Sequence, residues 1–225
     1  MNMDKKTIVH CITNYVSMDF MANSLLAVGA TPLMSFCKEE MADIVSKCDA
    51  LLVNIGCLDM QQIDAMKCAV EAAAEYGKKW VLDPVGAQFT DLRMETCLQL
   101  INIFPPTVVK GNEREINALE HILQDYDGVV VRTGETDLIT CGQRSREVHY
   151  GSELMTLVTA MGCSAGAVIA AFLDRYDDAF DASVAAMTLF GKAGESAAKN
   201  SAGTGSFKMN FIDELYRLSS VVPCN

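Results

Sequence analysis

Hydrophobic and polar positions along this chain fall into blocks. Thr7 to Ile12 is a short apolar, β-branched run, and the polar pair Thr13 and Asn14 follows it. Within Met18 to Val28, Met21, Leu25 and Val28 recur at helical spacing, and Gly29 stands where a helix end calls for a left-handed residue. Leu51 to Ile55 predicts a buried strand ended by Gly56, and Gln61 to Tyr76 an alanine-rich helix closed by Gly77. The alternation continues with Lys79 to Leu82 as a strand stopped at Asp83 and Pro84, and Leu92 to Ile103 as a helix. Thr107 to Val109 then runs as a strand into Lys110, Gly111 and Asn112, and Val129 to Val131 is the next strand.

Repeated strand and helix units of this kind predict a mostly parallel sheet between two helical layers, with ligands at the C-terminal ends of the strands. After Thr133 the pattern changes. Leu138 to Cys141 and Arg146 to Tyr150, separated by Gly142 and Gln143, predict a β-hairpin and so an antiparallel edge. From Cys163 onward the chain reads as helices over Ala165 to Leu173, Ala179 to Lys199 and Met209 to Leu218, with a break at Ser201 to Ser206. No repeat, low-complexity tract or linker divides the sequence, so residues 1–225 read as one domain.

Composition narrows the function classes. With 50% hydrophobic and 21% charged residues, the 225-residue chain can bury a sizeable core. A net charge of -11, its acids spread along the chain, offers no footprint for nucleic acid or an anionic membrane. Met1 to Lys6 carries cations, but Thr13, Asn14 and Asp19 interrupt the apolar run behind them, which predicts no secretion signal. The longest strongly apolar stretch, Ala165 to Leu173, is far below the roughly 18 residues of a membrane span. The nine cysteines include no C-x-x-C pair, which argues against a disulfide framework, a zinc cluster or a cysteine-based redox function. They read as small core residues of a protein in a reducing cytoplasm.

Four polar or glycine-rich clusters lie where strands should end. They are Asp83 to Gly86, Lys110 to Glu115, Arg132 to Glu135, and Thr159 to Ser164 opening the first C-terminal helix. Each has a plain structural explanation: Asp83 and Pro84 as a turn, Asn112 as an N-cap, Gly134 as a tight bend, Cys163 as a buried helix residue. Together they supply a carboxylate, an Asn-x-x-Glu pair, two cations and a glycine-opened helix N-terminus. Those are the parts required to hold metal-bound polyphosphate for in-line phosphoryl transfer.

The clusters and their order resemble the hydroxyethylthiazole kinase family of the ribokinase-like superfamily. The resemblance rests on Val9 to Val16, Asn23 to Met34, Asn54-Ile55-Gly56, Leu82 to Gly86, Lys110-Gly111-Asn112 with Glu115, Thr133-Gly134-Glu135 and Gly203 to Phe207, nearly the whole chain. It implies a three-layer α/β/α sandwich in which ATP phosphorylates the primary alcohol of 4-methyl-5-(2-hydroxyethyl)thiazole, as in thiamine salvage. It implies that Asn14, Val16 and Met34 contact the thiazole with Gly56 closing the pocket, and that Lys110, Thr133 and Gly162 face the nucleotide. Asn112, Glu115 and Asp83 are implied to serve Mg²⁺ through water, and Cys163 to stand where relatives place the group that accepts the hydroxyl proton. A helix N-terminus can lower a thiol pKa and favour that role; a packed or hydroxyl-positioning thiol is the other reading. The family resemblance also implies a homotrimer with active sites at subunit boundaries.

Two departures stand out. The family's usual Thr-Gly-Thr-Gly-Cys is Thr159-Ala160-Met161-Gly162-Cys163 here, so Ala160 is strained if that position requires positive φ. The region between Asn117 and Gly128 is shorter than in typical relatives. These departures keep a catalytically impaired thiazole-binding homologue open as an alternative, beside a hydroxymethylpyrimidine kinase or another ATP-dependent enzyme of the same fold.

Overall fold

The computed structural model describes residues 6–220; Met1 to Lys5 and the C-terminal stretch with Cys224 lie outside the described residues. Six parallel strands form the greater part of one sheet: β1 (Ile8–Ile12), β2 (Thr31–Leu33), β3 (Ala50–Asn54), β4 (Lys79–Asp83), β5 (Val108–Asn112) and β6 (Val129–Thr133). An antiparallel hairpin, β7 (Asp137–Cys141) and β8 (Arg144–Val148), completes it in the order β2-β1-β3-β4-β5-β6-β7-β8. The hairpin registers Cys141 against Arg144 across Gly142 and Gln143, two residues earlier than the sequence expectation for the returning strand. Gly142 has φ +55°, and a two-residue hairpin turn opens on such a residue when it must follow the strand twist.

Why the parallel strands read as continuous apolar runs is plain from their two faces. Ala50, Leu52, Val81 and Val108 face one core, built with α1 (Met18–Ala27), α7 (Met161–Leu173), α8 (Ala179–Lys199) and α9 (Thr204–Ser219). Their neighbours Leu51, Val53, Leu82 and Val109 face the other, built with α2 (Met41–Lys47), α3 (Met60–Glu75), α4 (Asp91–Ile103), α5 (Glu113–Ala118) and α6 (Glu120–Leu123). With both faces covered, the central strand positions are apolar on either side and the period of two disappears from the sequence. This is the three-layer sandwich with an antiparallel edge that the sequence predicts. Gly29 and Gly77 close their helices in left-handed conformations, at φ +77° and +62°. The break between α8 and α9 is narrower than Ser201 to Ser206, since α9 already begins at Thr204.

The edges of the sheet carry different residues. β2 is three residues long, with Pro32 opposite Val9 of β1. β8 is mostly exposed, and Arg144 fastens it to α8 through Asp178, Asp181 and the ring of Phe180.

Helix α7 is held at both ends. Lys79 donates to the carbonyls of Leu173 and Tyr176 at its C-terminus (2.9 and 3.2 Å), while Lys110 donates to Gly162 in its first turn (2.9 Å). Its N-cap, Ala160, has φ +74° and is the one non-glycine residue with positive φ among the described residues, so the expected strain is present. Beside α7, the segment around Tyr150 and Met155 lies directly on α8 at Gly191 and Gly194. A methyl group at Gly191 would stand 2.7 Å from the Tyr150 carbonyl oxygen.

Ala160→Gly should stabilise the protein by about 1 kcal/mol, because relief of left-handed strain exceeds the extra entropy of an unfolded glycine; thermal unfolding should show a rise of about 2–4 °C. Gly191→Ala should destabilise by about 1–3 kcal/mol in urea unfolding, because its obstacle is backbone and cannot rotate away.

Candidate active site

β1 and β3 are neighbours in the sheet, yet the chain leaves β1 toward the α1 layer and β3 toward the α3 layer. Such a divergence opens a crevice at the strand ends. Asn14 follows β1 and Gly56 follows β3, and they meet there. Asn14 Nδ2 donates to Asn54 Oδ1 at 3.2 Å and toward Cys163 Sγ at 3.7 Å, while its own Oδ1 accepts from the Ser17 N–H at 3.0 Å. The Gly56 N–H donates to Asn54 Oδ1 at 2.9 Å. A Cβ on Gly56 would lie 2.6 Å from Asn14 Nδ2 and 2.8 Å from Asn54 Oδ1, so glycine is what admits both carboxamides.

The network continues inward. Asn54 Nδ2 donates to Asp83 Oδ2 at 2.7 Å, and Asp83 Oδ2 faces Lys110 Nζ at 3.7 Å, both of these last side chains being buried. Burial pushes the Asp83 carboxyl up to about 6, against the opposing pull of Lys110. Burial alone would lower Lys110; Asp83 first, then Cys163, Glu115 and Asp137, hold its ammonium above the ordinary lysine value instead. Two glycines of α7 face the pair: a Cβ on Gly162 would touch Lys110 Nζ at 3.4 Å, and one on Gly166 would stand 3.8 Å from Asp83 Oδ2 and crowd Leu52 Cδ1 at 3.3 Å.

Cys163 behaves differently from the low-pKa expectation. Burial raises its thiol and Asp83 adds to the rise, outweighing Lys110 and the hydrogen bonds from the Asn54 and Asn14 amides. The thiol stands in the first turn of α7 with a carboxylate near it, and loss of water and a nearby negative charge both favour the neutral form.

On the other side of the α7 N-terminus lies a cavity of about 650 Å³ between the ends of β5 to β7 and the Tyr150 segment. Asn112, Thr133, Asp137, Met161 and Gly162 are among its lining residues. Lys110 is not among them; its side chain is turned beneath α7. Thr133 Oγ1 donates to the Gly111 carbonyl at 3.3 Å. α7 thus presents Gly162 to the cavity and Cys163 to Asn14. The expected substrate contacts are only half enclosed within one chain: Met34 is partly buried, whereas Val16 is 66% exposed.

Asn112 and Glu115 form a reciprocal capping box at the start of α5. Asn112 Oδ1 accepts from the Glu115 N–H (3.0 Å), and Glu115 Oε2 accepts from the Asn112 N–H (2.8 Å). Glu115 Oε1 accepts from Gly86 N–H at 3.0 Å, tying the loop after β4 to the start of α5. Among the described residues, no group of three or more His, Cys, Asp and Glu side chains converges as direct metal ligands. The donor set nonetheless suits a hydrated hard cation. Each Glu115 oxygen keeps a second lone pair, and Asp83 Oδ1 is buried without a hydrogen-bond partner.

Two residues of this site carried no role in the sequence reading. Asn54 leaves a signal in the sequence, as a polar residue inside the apolar run Leu51 to Ile55. Arg93 gives no such signal: from α4 it donates to the carbonyls of Ile55 and Val85 (2.7 Å each) and Gly56 (3.0 Å), fixing the loops after β3 and β4.

Comparison with known proteins bears on all of this. The model of the hydroxyethylthiazole kinase family matches residues 2–128 and 116–221, two stretches that meet in the region read as shortened. The hydroxyethylthiazole kinase of Brachyspira hyodysenteriae is 42% identical over 237 residues, covering 95% of this chain and 89% of that protein. The solved structure of the hydroxyethylthiazole kinase protein from Pyrococcus horikoshii superposes with a TM-score of 0.90 at 36% identity, covering 94% of this chain and 88% of that one. A ribokinase-like superfamily protein of Enterococcus faecalis, 14% identical with a TM-score of 0.74 over 98% of this chain and 90% of that one, shares the fold. With sequence match, superposition and strand-end chemistry in agreement, this chain belongs to the hydroxyethylthiazole kinase family and has the ribokinase-like fold.

Proposed function

We propose that this protein transfers the γ-phosphoryl group of ATP to the primary alcohol of 4-methyl-5-(2-hydroxyethyl)thiazole, in thiamine salvage. The observation that carries this reading is the position of the α7 N-terminus, with Gly162 on the cavity and Cys163 against Asn14. A donor polyphosphate on one side and a small alcohol on the other then meet at the backbone N–H groups of the first turn, where negative charge is favoured. Thr133 and Gly162 belong to the nucleotide side. Asn14, Met34, Val16 and Gly56 belong to the alcohol side. Lys110 supplies its charge from beneath the turn, a fixed electrostatic contribution rather than a mobile clamp.

In the transfer, the alcohol oxygen forms a bond to the γ-phosphorus as the bond from that phosphorus to the ADP oxygen breaks, and ADP leaves with the electron pair. The hydroxyl proton goes to Cys163 when that thiol is ionised, and otherwise to solvent. Glu115, Asp83 and Asn112 would hold Mg²⁺ through its waters, and the ion, when bound, neutralises polyphosphate charge. The shortened 117–128 region, where α5 and α6 are brief, lies outside the cavity lining.

Val16 (66% exposed) and Tyr15 (63% exposed), which pairs with Phe36 at 5.4 Å between ring centroids, leave an apolar surface beside Asn14. A second copy of the chain covers it in the proposed homotrimer, enclosing the alcohol site. A reducing cytoplasm suits the free thiols of all the described cysteines. Residues 1–225 act as one domain in this reading.

A coupled ADP-release assay over thiazole and pyrimidine alcohols should show turnover of the thiazole alcohol; tight thiazole binding without ADP release would identify an impaired homologue instead. Because burial holds the Cys163 thiol above its usual value, kcat should climb with pH beyond neutrality as thiolate forms. Cys163→Asp should flatten that climb, and Cys163→Ala should lower kcat by about 10²-fold while leaving alcohol affinity intact. An unchanged kcat in Cys163→Ala, measured where chemistry limits the rate, removes Cys163 from the mechanism. Light scattering should give three times the chain mass, and an active monomer would refute the shared site.

A further inference from the structure

Amide orientation is ordinarily ambiguous, since the oxygen and nitrogen of a carboxamide look alike. Here the backbone resolves it. The Ser17 N–H can only donate, so the Asn14 atom facing it is Oδ1, and Nδ2 points to Asn54 and Cys163. The Gly56 N–H can only donate, so the Asn54 atom that it shares with Asn14 is Oδ1. Asn54 Nδ2 is therefore turned inward to Asp83 Oδ2, which is also the oxygen facing Lys110. Lys110 in turn reaches the Gly162 carbonyl. Two backbone N–H groups thus set the orientation of both carboxamides between the alcohol side and the phosphate side.

Asn54 is the only side chain in this path with one end on each side. It is fully buried and shares no surface with the cavity, so neither of the proposed substrates touches it. Its Oδ1 fixes the rotation of the Asn14 carboxamide, its Nδ2 fixes Asp83 under α7, and its amide also bonds the Cys163 thiol. We infer that Asn54 is a positioning residue for the transfer, locking the Asn14 amide and the Asp83–Lys110 pair into one orientation so that acceptor and phosphoryl group are aligned together. The inference rests on the proposed division of the site into an alcohol side and a phosphate side.

Two substitutions separate its two ends. Asn54→Ala removes both, leaving Asn14 free to rotate and Asp83 without its amide partner. The alcohol KM should rise and kcat should fall, each by about tenfold, with the ATP KM within about twofold of normal. Asn54→Asp keeps an acceptor for Gly56 and Asn14 but sets an oxygen against Asp83. It should restore the alcohol KM to within about twofold of normal while kcat stays about tenfold low. A residue needed only for folding would not divide KM from kcat in this way. If kcat and both KM values are normal in Asn54→Ala, or if Asn54→Asp fails to restore the alcohol KM in folded protein, the inference is overturned.

A readout without substrate keeps this separate from the proposed reaction. Hydrogen exchange of the Asn14 side-chain amide, followed by NMR in the ligand-free protein, should be slow in the wild type and in Asn54→Asp. It should be at least about tenfold faster in Asn54→Ala. Equal exchange in all three proteins overturns the positioning role even if the thiazole alcohol is phosphorylated. Wild type that phosphorylates no thiazole alcohol, with the exchange pattern as expected, overturns the substrate assignment and leaves Asn54 as the residue that orients Asn14.

Discussion

Burying the Lys110 ammonium against Asp83 constrains everything around it, because both charges are withdrawn from bulk solvent. Removing one partner of such a pair typically costs about 3–5 kcal/mol, as the other is left uncompensated. The surroundings are arranged accordingly: Lys110 also reaches the Gly162 carbonyl, and Asp83 also accepts from Asn54. Gly162 and Gly166 are the α7 residues that face the pair, and Gly166 also lies close against Leu52, where a Cβ would stand 3.3 Å from its Cδ1. The position of α7, and with it that of Cys163, follows from an electrostatic requirement at the ends of two strands.

Those strand ends follow a simple rule. On the face toward α7, Leu52 is followed by Asn54, Val81 by Asp83 and Val108 by Lys110, each two positions on. Side chains two apart in a strand share a face, so an apolar row within the core becomes a polar row at its end. The register places Asn54 directly beside Asp83. A core that excludes water and a site that orders charges are built on one surface of the sheet.

Much of this was legible in the sequence, and the exceptions are instructive. Buried strands and long helices announced themselves through apolar runs and glycine stops, and Ala160 through its place in a glycine position. α2 went unread, since Met41 and Val45 are too few contacts to make a periodic stripe. β5 extends to Asn112, beyond the expected Val109, because its last residues pair with β6 while bearing polar side chains. The inward turn of Lys110 was not legible either, for a lysine at a strand end reads as a ligand-facing cation until its counter-ion is located. The Asn112 and Glu115 pair supports both a cap and a metal role, because its spacing of three serves a helix start whatever else it serves.

The two edges of the sheet have a consequence for how this chain meets others. At one edge β2 offers only three residues, one of them Pro32 with no N–H to give. At the other, β8 exposes the charged Arg144, Arg146 and Glu147. An eight-stranded sheet with apolar inner strands would otherwise invite growth by strand addition at its edges, a route to aggregation. With both margins unsuited to backbone pairing, further copies can be recognised only through side chains, and contact between chains stays a matter of surface shape rather than of sheet extension.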